Sequence, residues 1–295
     1  MPALLFWHAA AVSRIAIIGG GNIGEALLAG LLRSGRQVKD IVVGERLTAR
    51  SRFLSETYSV RVTGIADAIE SADFVIVAVK PADVASVVDE IGEAVGRAGS
   101  DTIDHVFVSV VAGVSTAYYE SRLPAGAPVL RVMPNSPILV GAGISAIAKG
   151  RFATPESLTE VAGLFESVGE VLTVPEAQLD AVTAVSGSGP AYFFLMAEAL
   201  IDAGVGSGLS RAVATDLVAQ TMLGSAVMLV ERSRDPERAT AMDTTPAELR
   251  ATVTSPAGTT SAGIAALERG GFRSAVADAV HAARLRAAEL GITSE

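Results

Sequence analysis

The feature that most constrains this chain is a glycine-rich stretch near its amino terminus. Residues 14–24 read Arg-Ile-Ala-Ile-Ile-Gly-Gly-Gly-Asn-Ile-Gly, which predicts a short buried strand that runs into Gly19, Gly21 and Gly24. A helix-forming segment, Glu25 to Leu32, follows directly. In a dinucleotide-binding turn the first glycine permits the tight bend, the second lets the backbone approach a pyrophosphate, and the third lets the helix pack closely on the strand.

The residues after this turn support a nicotinamide cofactor. A lone glycine pattern also arises in purely structural turns, but here the phosphates would meet free N–H groups at a helix start, so Asn22 and Ile23 are predicted cofactor contacts. Glu45 lies 21 residues after Gly24, where an acidic side chain can accept hydrogen bonds from an adenosine ribose. Arg46 follows immediately and is suited to a 2′-phosphate instead. The sequence therefore leaves the choice between NADPH and NADH open.

Two further strand ends are expected near the cofactor. The buried run Phe74 to Val79 leads into Lys-Pro, and the run Val106 to Val110 leads into small residues. Doubly wound sheets bind ligands at the carboxyl ends of their strands, although a strand-end lysine also occurs in solvent and small residues also serve helix packing. The predicted contacts here are Ala78, Val79, Lys80, Pro81, Ala112 and Gly113.

The alternation of apolar runs with helical stretches predicts an α/β fold with a Rossmann-like, doubly wound and mostly parallel sheet. The predicted strands are Ile15–Ile18, Ile41–Val43, Val60–Val62, Phe74–Val79, Val106–Val110, Val129–Val132, Gly143–Ala148 and Val171–Val174. After Pro175 the chain becomes rich in Ala and Leu, which predicts an all-α second domain. The predicted division is an apolar extension over 1–12, a dinucleotide-binding domain over 13–174, and a helical substrate-binding and dimerisation domain over 175–295.

Composition disfavours several other classes of function. A net charge of -9 and only three lysines disfavour nucleic acid, which requires clustered cations. The absence of cysteine and the presence of only three separated histidines predict no metal site. The N-terminal extension lacks a basic segment and is shorter than a membrane span, and the next apolar runs are of strand length, so we expect a cytoplasmic protein with no membrane partner.

The mean hydropathy of +0.45 is high for a soluble monomer. The predicted helices Ala191–Ala203 and Arg211–Val230 carry few charges around their circumference, and a helix that is apolar on nearly all faces is normally buried on nearly all faces. A domain of about 120 residues cannot readily bury two such helices alone, so we expect a homodimer with an active site shared between subunits.

Three later segments are unusual: Arg131-Val-Met-Pro-Asn135, Val185-Ser-Gly-Ser-Gly-Pro-Ala-Tyr192, and Thr254-Ser-Pro-Ala-Gly-Thr-Thr260 followed by Leu267-Glu-Arg-Gly-Gly-Phe-Arg273. In these segments the chain resembles the pyrroline-5-carboxylate reductases, and the resemblance runs from Ile15 to about Arg286 with the motif regions in the family's order. It implies reduction of 1-pyrroline-5-carboxylate to L-proline, the last step of proline synthesis, with NADPH or NADH. It also implies a homodimer that can associate into a larger ring.

The resemblance further implies that Ser255, Gly258, Thr259 and Thr260 hold the substrate carboxylate, and that the Thr260 hydroxyl reaches the ring nitrogen. Amides and hydroxyls at the start of a helix near Thr260 suit an anion, although a simple helix-capping turn has the same sequence signature. The family usually has glycine where this chain has Ala257. A methyl group there is expected to be tolerated only if the φ angle of Ala257 is negative.

The expected chemistry fits the scarcity of proton donors. Reducing a carbonyl requires a proton donor, and after Lys149 the sequence offers only Tyr192 and His281. A cyclic imine that arrives already protonated needs only orientation and hydrogen bonding. Two alternatives remain: a hydroxyacid dehydrogenase of similar architecture, which needs a lysine that the stretch Ala191–Leu200 lacks, and a non-catalytic dinucleotide sensor, which would not require the Ser255–Thr260 loop.

Overall fold

The computed structural model describes residues 13–97, 105–233 and 245–291. They cluster into two compact units: the residues up to Pro190 together with those from Ala282 onward, and Ala191–His281. The first unit thus continues past Pro175, where the strand pattern ends. The extension predicted over residues 1–12 lies outside the described residues.

The first unit contains an eight-stranded sheet in the order β3-β2-β1-β4-β5-β6-β7-β8. The strands are β1 Ile15–Ile18, β2 Ile41–Gly44, β3 Arg61–Thr63, β4 Phe74–Val77, β5 Val106–Ser109, β6 Val129–Met133, β7 Gly143–Lys149 and β8 Gly169–Thr173. All neighbours pair in parallel except β6 and β7. The predicted doubly wound fold is confirmed, and all eight predicted strands are present: β1 has both of its predicted ends, and each of the other seven strands is shifted at one end or at both.

Alternate residues of β1 enter two different cores. Ile15 and Ile17 pack in one buried apolar cluster, and Ala16 and Ile18 pack in another on the opposite face of the sheet. This follows from the two-residue period of a strand, whose successive side chains point to opposite faces. Because helices cover both faces, the functional surface of the sheet is left at the strand ends.

The helices of the sheet-bearing part of the chain are α1 Asn22–Arg33, α2 Thr48–Tyr58, α3 Ile65–Ile69, α4 Val84–Arg97, α5 Thr116–Glu120, α6 Pro155–Glu166 and α7 Leu179–Val182. Short 3₁₀ turns occupy Val38–Asp40, Pro81–Asp83, Ser136–Val140 and Glu176–Gln178. The later helices are α8 Gly189–Gly206, α9 Arg211–Ser233, α10 Thr245–Thr252, α11 Thr259–Arg269 and α12 Phe272–Glu289.

An ion pair fastens the segment after the sheet to β6. Arg131 is buried on β6, and its guanidinium lies 3.4 Å from the carboxylate of Glu176. The same carboxylate accepts hydrogen bonds from the backbone N–H of Thr116 at 2.8 Å and from its hydroxyl at 2.6 Å. This explains the arginine of the Arg131–Asn135 motif as a structural residue.

Helices α8 and α9 expose large apolar side chains in the single chain. Phe193, Phe194 and Leu195 on α8 are each about two thirds exposed, and Leu223 on α9 is 59% exposed. By length and composition alone, the stretches Glu176–Gly206 and Arg211–Arg232 are apolar enough to cross a membrane. The prediction that the longest apolar runs after residue 12 are only of strand length is therefore wrong.

Candidate active site

The glycine-rich turn has the geometry that its spacing predicts. Gly19 has a φ angle of +103°, and a Cβ atom there would lie 2.7 Å from the carbonyl oxygen of Ala78. A Cβ atom at Gly24 would lie 2.0 Å from the carbonyl oxygen of Gly19. Both positions therefore require glycine for the turn and for the packing of α1 on the sheet.

Gly21 is different, because nothing in the described protein requires glycine there. Its φ angle of -67° suits any residue, and a Cβ atom would meet no protein atom within 4 Å. Gly21 is the N-cap of the 12-residue helix α1 and no side chain caps it. The first hydrogen bond of the helix runs from the N–H of Glu25 to the carbonyl oxygen of Gly21, at 2.8 Å. The N–H groups of Asn22 and Ile23 precede it and therefore remain available for an anion.

Four of the other predicted cofactor contacts follow β4, which pairs with β1. β4 ends at Val77, two residues earlier than predicted, and it is followed by half-buried Ala78 and Val79 and by exposed Lys80. Pro81 opens a 3₁₀ turn. The structure therefore brings the glycine turn and these residues to one edge of the sheet, the carboxyl edge.

After β5, Ala112 is half-buried and Gly113 has a φ angle of +78°. A Cβ atom at Gly113 would lie 2.8 Å from the carbonyl oxygen of Leu290, near the end of the chain. The positive φ angle and the close contact with Leu290 therefore explain the glycine at position 113 by packing within the first unit. This glycine also lies at the carboxyl edge of the sheet, where the cofactor is expected.

Glu45 does lie beside the glycine turn, but its carboxylate is already engaged with backbone. It accepts a hydrogen bond from the N–H of Gly20 at 2.9 Å and another from the N–H of Leu47 at 2.8 Å. Arg46 is exposed, and its guanidinium pairs with Asp83 at 3.1 Å. An exposed pair of this kind contributes little to stability and is easily exchanged for a stronger anion.

A polar cluster next to this turn was not predicted from the sequence. Arg50, in the first turn of α2, donates hydrogen bonds to the carbonyl oxygen of Gly20 and to the carboxylate of Glu25. The hydroxyl of Tyr58 donates to the same carboxylate at 2.8 Å. Burial alone raises the pKa of Glu25, but the hydrogen bonds from Arg50 and Tyr58 and the charge of Arg50 outweigh burial and lower it. This cluster fixes α1, α2 and the glycine turn against one another.

A π-helical turn overlaps the start of the Val185–Tyr192 motif. It spans Thr183–Gly187, and the Asn135 side chain donates to the Ser186 hydroxyl at 3.3 Å while accepting from the Ile144 N–H at 3.0 Å. A Cβ atom at Gly187 would lie 2.8 Å from the Met133 side chain. Two of the unusual sequence segments therefore meet in the structure, and π turns are frequent at functional sites.

The predicted substrate loop lies in the second unit and forms a tight turn before α11. The N–H of Gly258 donates to the carbonyl oxygen of Ser255 at 3.1 Å, and Pro256 occupies the second position of the turn. Ala257 has a φ angle of +60°, so the expectation of a negative φ is wrong. Proline followed by a residue with positive φ is typical of a type II turn, and the chain keeps that turn with alanine in the place of glycine.

The loop ends in a helix start suited to an anion. Gly258 is the N-cap of the 11-residue helix α11, and no side chain caps it. The first hydrogen bond of the helix runs from the N–H of Ala262 to the carbonyl oxygen of Gly258, at 3.2 Å. The N–H groups of Thr259 and Thr260 precede this bond. Ser255, Thr259 and Thr260 are exposed, which leaves their hydroxyls accessible.

The part of the chain that the structure describes contains no group of three or more His, Asp or Glu residues placed to hold a metal ion.

The fold and the glycine turn define a dinucleotide-binding protein of the doubly wound α/β class. Comparisons with known proteins narrow that class. A family described as "Pyrroline-5-carboxylate reductase dimerisation" matches residues 176–290, and one described as "NADP oxidoreductase coenzyme F420-dependent" matches residues 14–113.

Full-length relatives agree with these matches. The chain is 62% identical to a pyrroline-5-carboxylate reductase of Mycobacterium tuberculosis, over 96% of this chain and 99% of the relative. A solved structure of a pyrroline-5-carboxylate reductase from Coxiella burnetii is 34% identical and superimposes with a TM-score of 0.85, over 96% of this chain and 100% of the other. The Plasmodium falciparum pyrroline carboxylate reductase, solved with NADP bound, is 26% identical with a TM-score of 0.79, over 95% and 98% of the two chains. The chain belongs to the pyrroline-5-carboxylate reductase family.

Proposed function

We propose that this chain reduces 1-pyrroline-5-carboxylate to L-proline with NADPH or NADH. The observation that carries the proposal is family membership along nearly the whole chain, joined to a glycine turn whose second glycine the protein itself does not need. A ligand phosphate beside Gly21 accounts for that glycine. Family membership also favours the reductase over the hydroxyacid dehydrogenase and the sensor.

The first unit supplies the cofactor-binding residues. The amides of Asn22 and Ile23 bind the pyrophosphate, and the backbone of Ala78 and Val79 lines the carboxyl edge. When bound, the reduced nicotinamide supplies a hydride. Since both oxygens of Glu45 already accept backbone hydrogen bonds, and Arg46 is exposed beside it, we favour NADPH over NADH.

The second unit supplies the substrate-binding residues. The substrate carboxylate accepts hydrogen bonds from the amides of Thr259 and Thr260 and from the hydroxyl of Ser255, supported by the dipole of α11. The Thr260 hydroxyl oxygen accepts a hydrogen bond from the protonated ring nitrogen. The ring carbon of the C=N double bond would receive the hydride, and the electron pair of that double bond would pass to the nitrogen, which keeps its proton, so no side chain has to donate one.

The apolar surface of α8 and α9 supports a homodimer. Glu198 and Asp202 on α8 and Asp216 on α9 lie within the two long apolar stretches, and acidic side chains at such positions are costly inside a bilayer. In a protein interface they can be paired, as Asp202 already is with Arg211 at 2.8 Å. We therefore assign this surface to a second copy of the chain rather than to lipid, in a cytoplasmic enzyme whose dimers can join into a larger ring.

The decisive experiment on the site is Thr260→Ala. Loss of a hydrogen bond to a charged group typically costs about 1.5–3 kcal/mol, so kcat/KM for 1-pyrroline-5-carboxylate is expected to fall by roughly 10- to 100-fold. Cofactor affinity, measured by quenching of protein fluorescence or by calorimetry, should stay nearly constant. The matched control is Thr252→Ala, which removes an exposed hydroxyl at the end of α10, outside the loop. Unchanged turnover of Thr260→Ala contradicts the assigned role.

The dimer is tested by light scattering combined with activity measurements in detergent-free buffer. We expect a dimer or a multiple of it, with activity that falls as dilution releases single chains. A fully active single chain, or a protein that stays in solution only with detergent, contradicts the proposed assembly.

A further inference from the structure

The glycine turn contains an additional glycine, Gly20, at a position where the dinucleotide fingerprint does not require one. Gly20 is buried, and a Cβ atom there would clash with the Leu54 side chain on α2. Two side chains hold the polar groups of its backbone. The N–H of Gly20 donates to the carboxylate of Glu45 at 2.9 Å, and its carbonyl oxygen accepts a hydrogen bond from Nε of Arg50. Gly20 is therefore fixed by residues that lie 25 and 30 positions later in the chain.

The contact with Arg50 sets the direction of the next backbone N–H group. The peptide bond between Gly20 and Gly21 is planar and trans, so its carbonyl oxygen and its N–H point in opposite directions. Because Arg50 holds the oxygen toward α2, the N–H of Gly21 points away from α2. Gly21 is exposed, and its N–H has no acceptor among the described residues. It is therefore a further free donor beside those of Asn22 and Ile23.

Local sterics alone do not fix this peptide. Glycine lies on both sides of it, and glycine tolerates a wide range of φ and ψ angles, so the peptide can rotate at little cost. A half-turn would bring the carbonyl oxygen to the side where the N–H now points, and that oxygen would repel the negative oxygens of a bound phosphate. Arg50 disfavours this alternative, because the rotation would break its hydrogen bond.

Arg50 is itself held in place and is not free to bind the phosphates. Its Nη2 atom pairs with the carboxylate of Glu25, which also accepts a hydrogen bond from the Tyr58 hydroxyl at 2.8 Å. The Phe53 ring covers one face of the guanidinium, with its centroid 4.9 Å from Cζ. The Arg50 side chain is only 26% exposed, whereas that of Arg46 is 60% exposed. The charge of Arg50 is thus neutralised within the protein.

We propose that Arg50 is a positioning residue for the cofactor: by holding the Gly20 carbonyl oxygen, it directs the N–H of Gly21 at the pyrophosphate. The inference rests on the proposed function only through its dinucleotide cofactor, and not through the identity of the substrate. NADPH and NADH share the pyrophosphate, so Arg50 contributes equally to the binding of both. This separates Arg50 from Arg46, whose proposed contact with the 2′-phosphate concerns NADPH alone.

The first test measures cofactor binding by isothermal titration calorimetry on the full chain without substrate. Arg50→Met keeps a long unbranched side chain and removes every donor. We expect it to weaken the binding of NADPH, NADH and ADP-ribose by the same factor, about tenfold, which corresponds to one charge-assisted hydrogen bond. ADP-ribose retains the pyrophosphate and lacks the nicotinamide. Unchanged affinities overturn the proposal, and so does a loss confined to NADPH, because Arg50 would then be a ligand of the 2′-phosphate.

The second test separates positioning from stability. Tyr58→Phe removes a hydrogen bond from the same cluster and leaves the contact between Arg50 and Gly20, so its affinity for the three ligands should match that of the parent chain. If Tyr58→Phe weakens binding as much as Arg50→Met does, the cluster acts only through the stability of the fold and the proposal is refuted.

A second variant decides the matter if Arg50→Met does not fold. Arg50→Lys keeps a cation beside Glu25 but has no Nε–H group for the Gly20 carbonyl oxygen, so the same loss of about tenfold is expected. An affinity of Arg50→Lys equal to that of the parent chain would overturn the proposal.

A kinetic measurement distinguishes failure of this inference from failure of the proposed reaction. With 1-pyrroline-5-carboxylate as substrate, Arg50→Met should raise the KM for the cofactor about tenfold and leave kcat at saturating cofactor close to the parent value. A lower kcat with an unchanged KM for the cofactor would contradict a positioning role. If the parent chain does not reduce 1-pyrroline-5-carboxylate, the proposed function fails, while the binding comparisons still decide the role of Arg50.

Discussion

Replacing Ala257 by glycine is expected to stabilise this protein, although alanine to glycine normally destabilises one. Ala257 occupies the third position of the turn that runs from Ser255 to Gly258, with a φ angle of +60°. An L-residue in this left-handed region costs about 1–2 kcal/mol because its Cβ atom crowds the neighbouring carbonyl oxygen. Glycine has no Cβ atom and adopts the same conformation without that cost.

The gain is partly offset in the unfolded chain. Glycine gives the unfolded chain more conformational freedom than alanine, which costs about 0.4–1 kcal/mol on folding. The balance is a net stabilisation of about 0.5–1 kcal/mol, or an increase in Tm of roughly 1–3 °C for a chain of this size. Since the turn itself does not change, kcat/KM for 1-pyrroline-5-carboxylate should stay close to that of the parent chain.

The assay is differential scanning calorimetry at fixed protein concentration, because a dimer's Tm depends on concentration. The matched control is Ala265→Gly, an exposed position inside α11, where glycine is about 0.8–1.0 kcal/mol less favourable than alanine. Both substitutions replace alanine by glycine, but we expect Ala257→Gly to raise the Tm and Ala265→Gly to lower it. If Ala257→Gly lowers Tm as Ala265→Gly does, the argument from the φ angle is refuted.

Three further results are expected. Arg46→Ala should raise the KM for NADPH about tenfold and barely change that for NADH, and equal changes in both would leave Arg46 without a role in cofactor choice. Glu176→Ala removes the acceptor for both Thr116 donors and the partner of a buried guanidinium, so urea unfolding should show a loss of about 2 kcal/mol or more; a neutral result would mean that water replaces the carboxylate. The pKa of Glu25 is lowered below 4.5, so its charge stabilises the fold above that pH and the effect disappears as the pH falls through the folded-state pKa. The difference in Tm between the parent chain and Glu25→Gln should therefore be present at pH 7 and vanish in acid, and a constant difference would contradict this.

The strands were predictable because burial on both faces leaves a simple signature. Each strand of a doubly wound sheet needs a short apolar run, and runs such as Ile15–Ile18 and Phe74–Val77 are separated by helical stretches of regular length. The glycine turn was predictable because its spacing follows from contacts that admit no side chain, as at Gly19 and Gly24. Local sterics of this kind are visible in the sequence itself.

The polar contacts were not predictable, because they depend on which residues tertiary structure brings together. Arg50 reaches Glu25 across 25 positions, and Asn135 reaches Ser186 across 51. No local pattern indicates such partners. The positive φ of Ala257 was missed for a related reason: alanine normally avoids that region, and the Pro256 turn with its Gly258 hydrogen bond overrides the preference. Thr260 and the other substrate-loop residues remain predictions that the Thr260→Ala experiment will decide.

The exposed apolar faces of α8 and α9 have a consequence for how these helices can change over evolution. In the proposed dimer the interface is twofold, so the same patch is contributed by both chains and each substitution in one gene occurs twice in the assembly. A replacement that removes one favourable contact from Phe193 or Leu223 in a single chain removes two from the dimer. These side chains are exposed on an isolated chain, but we expect them to be substituted more slowly during evolution than equally exposed residues on the helices that cover the sheet.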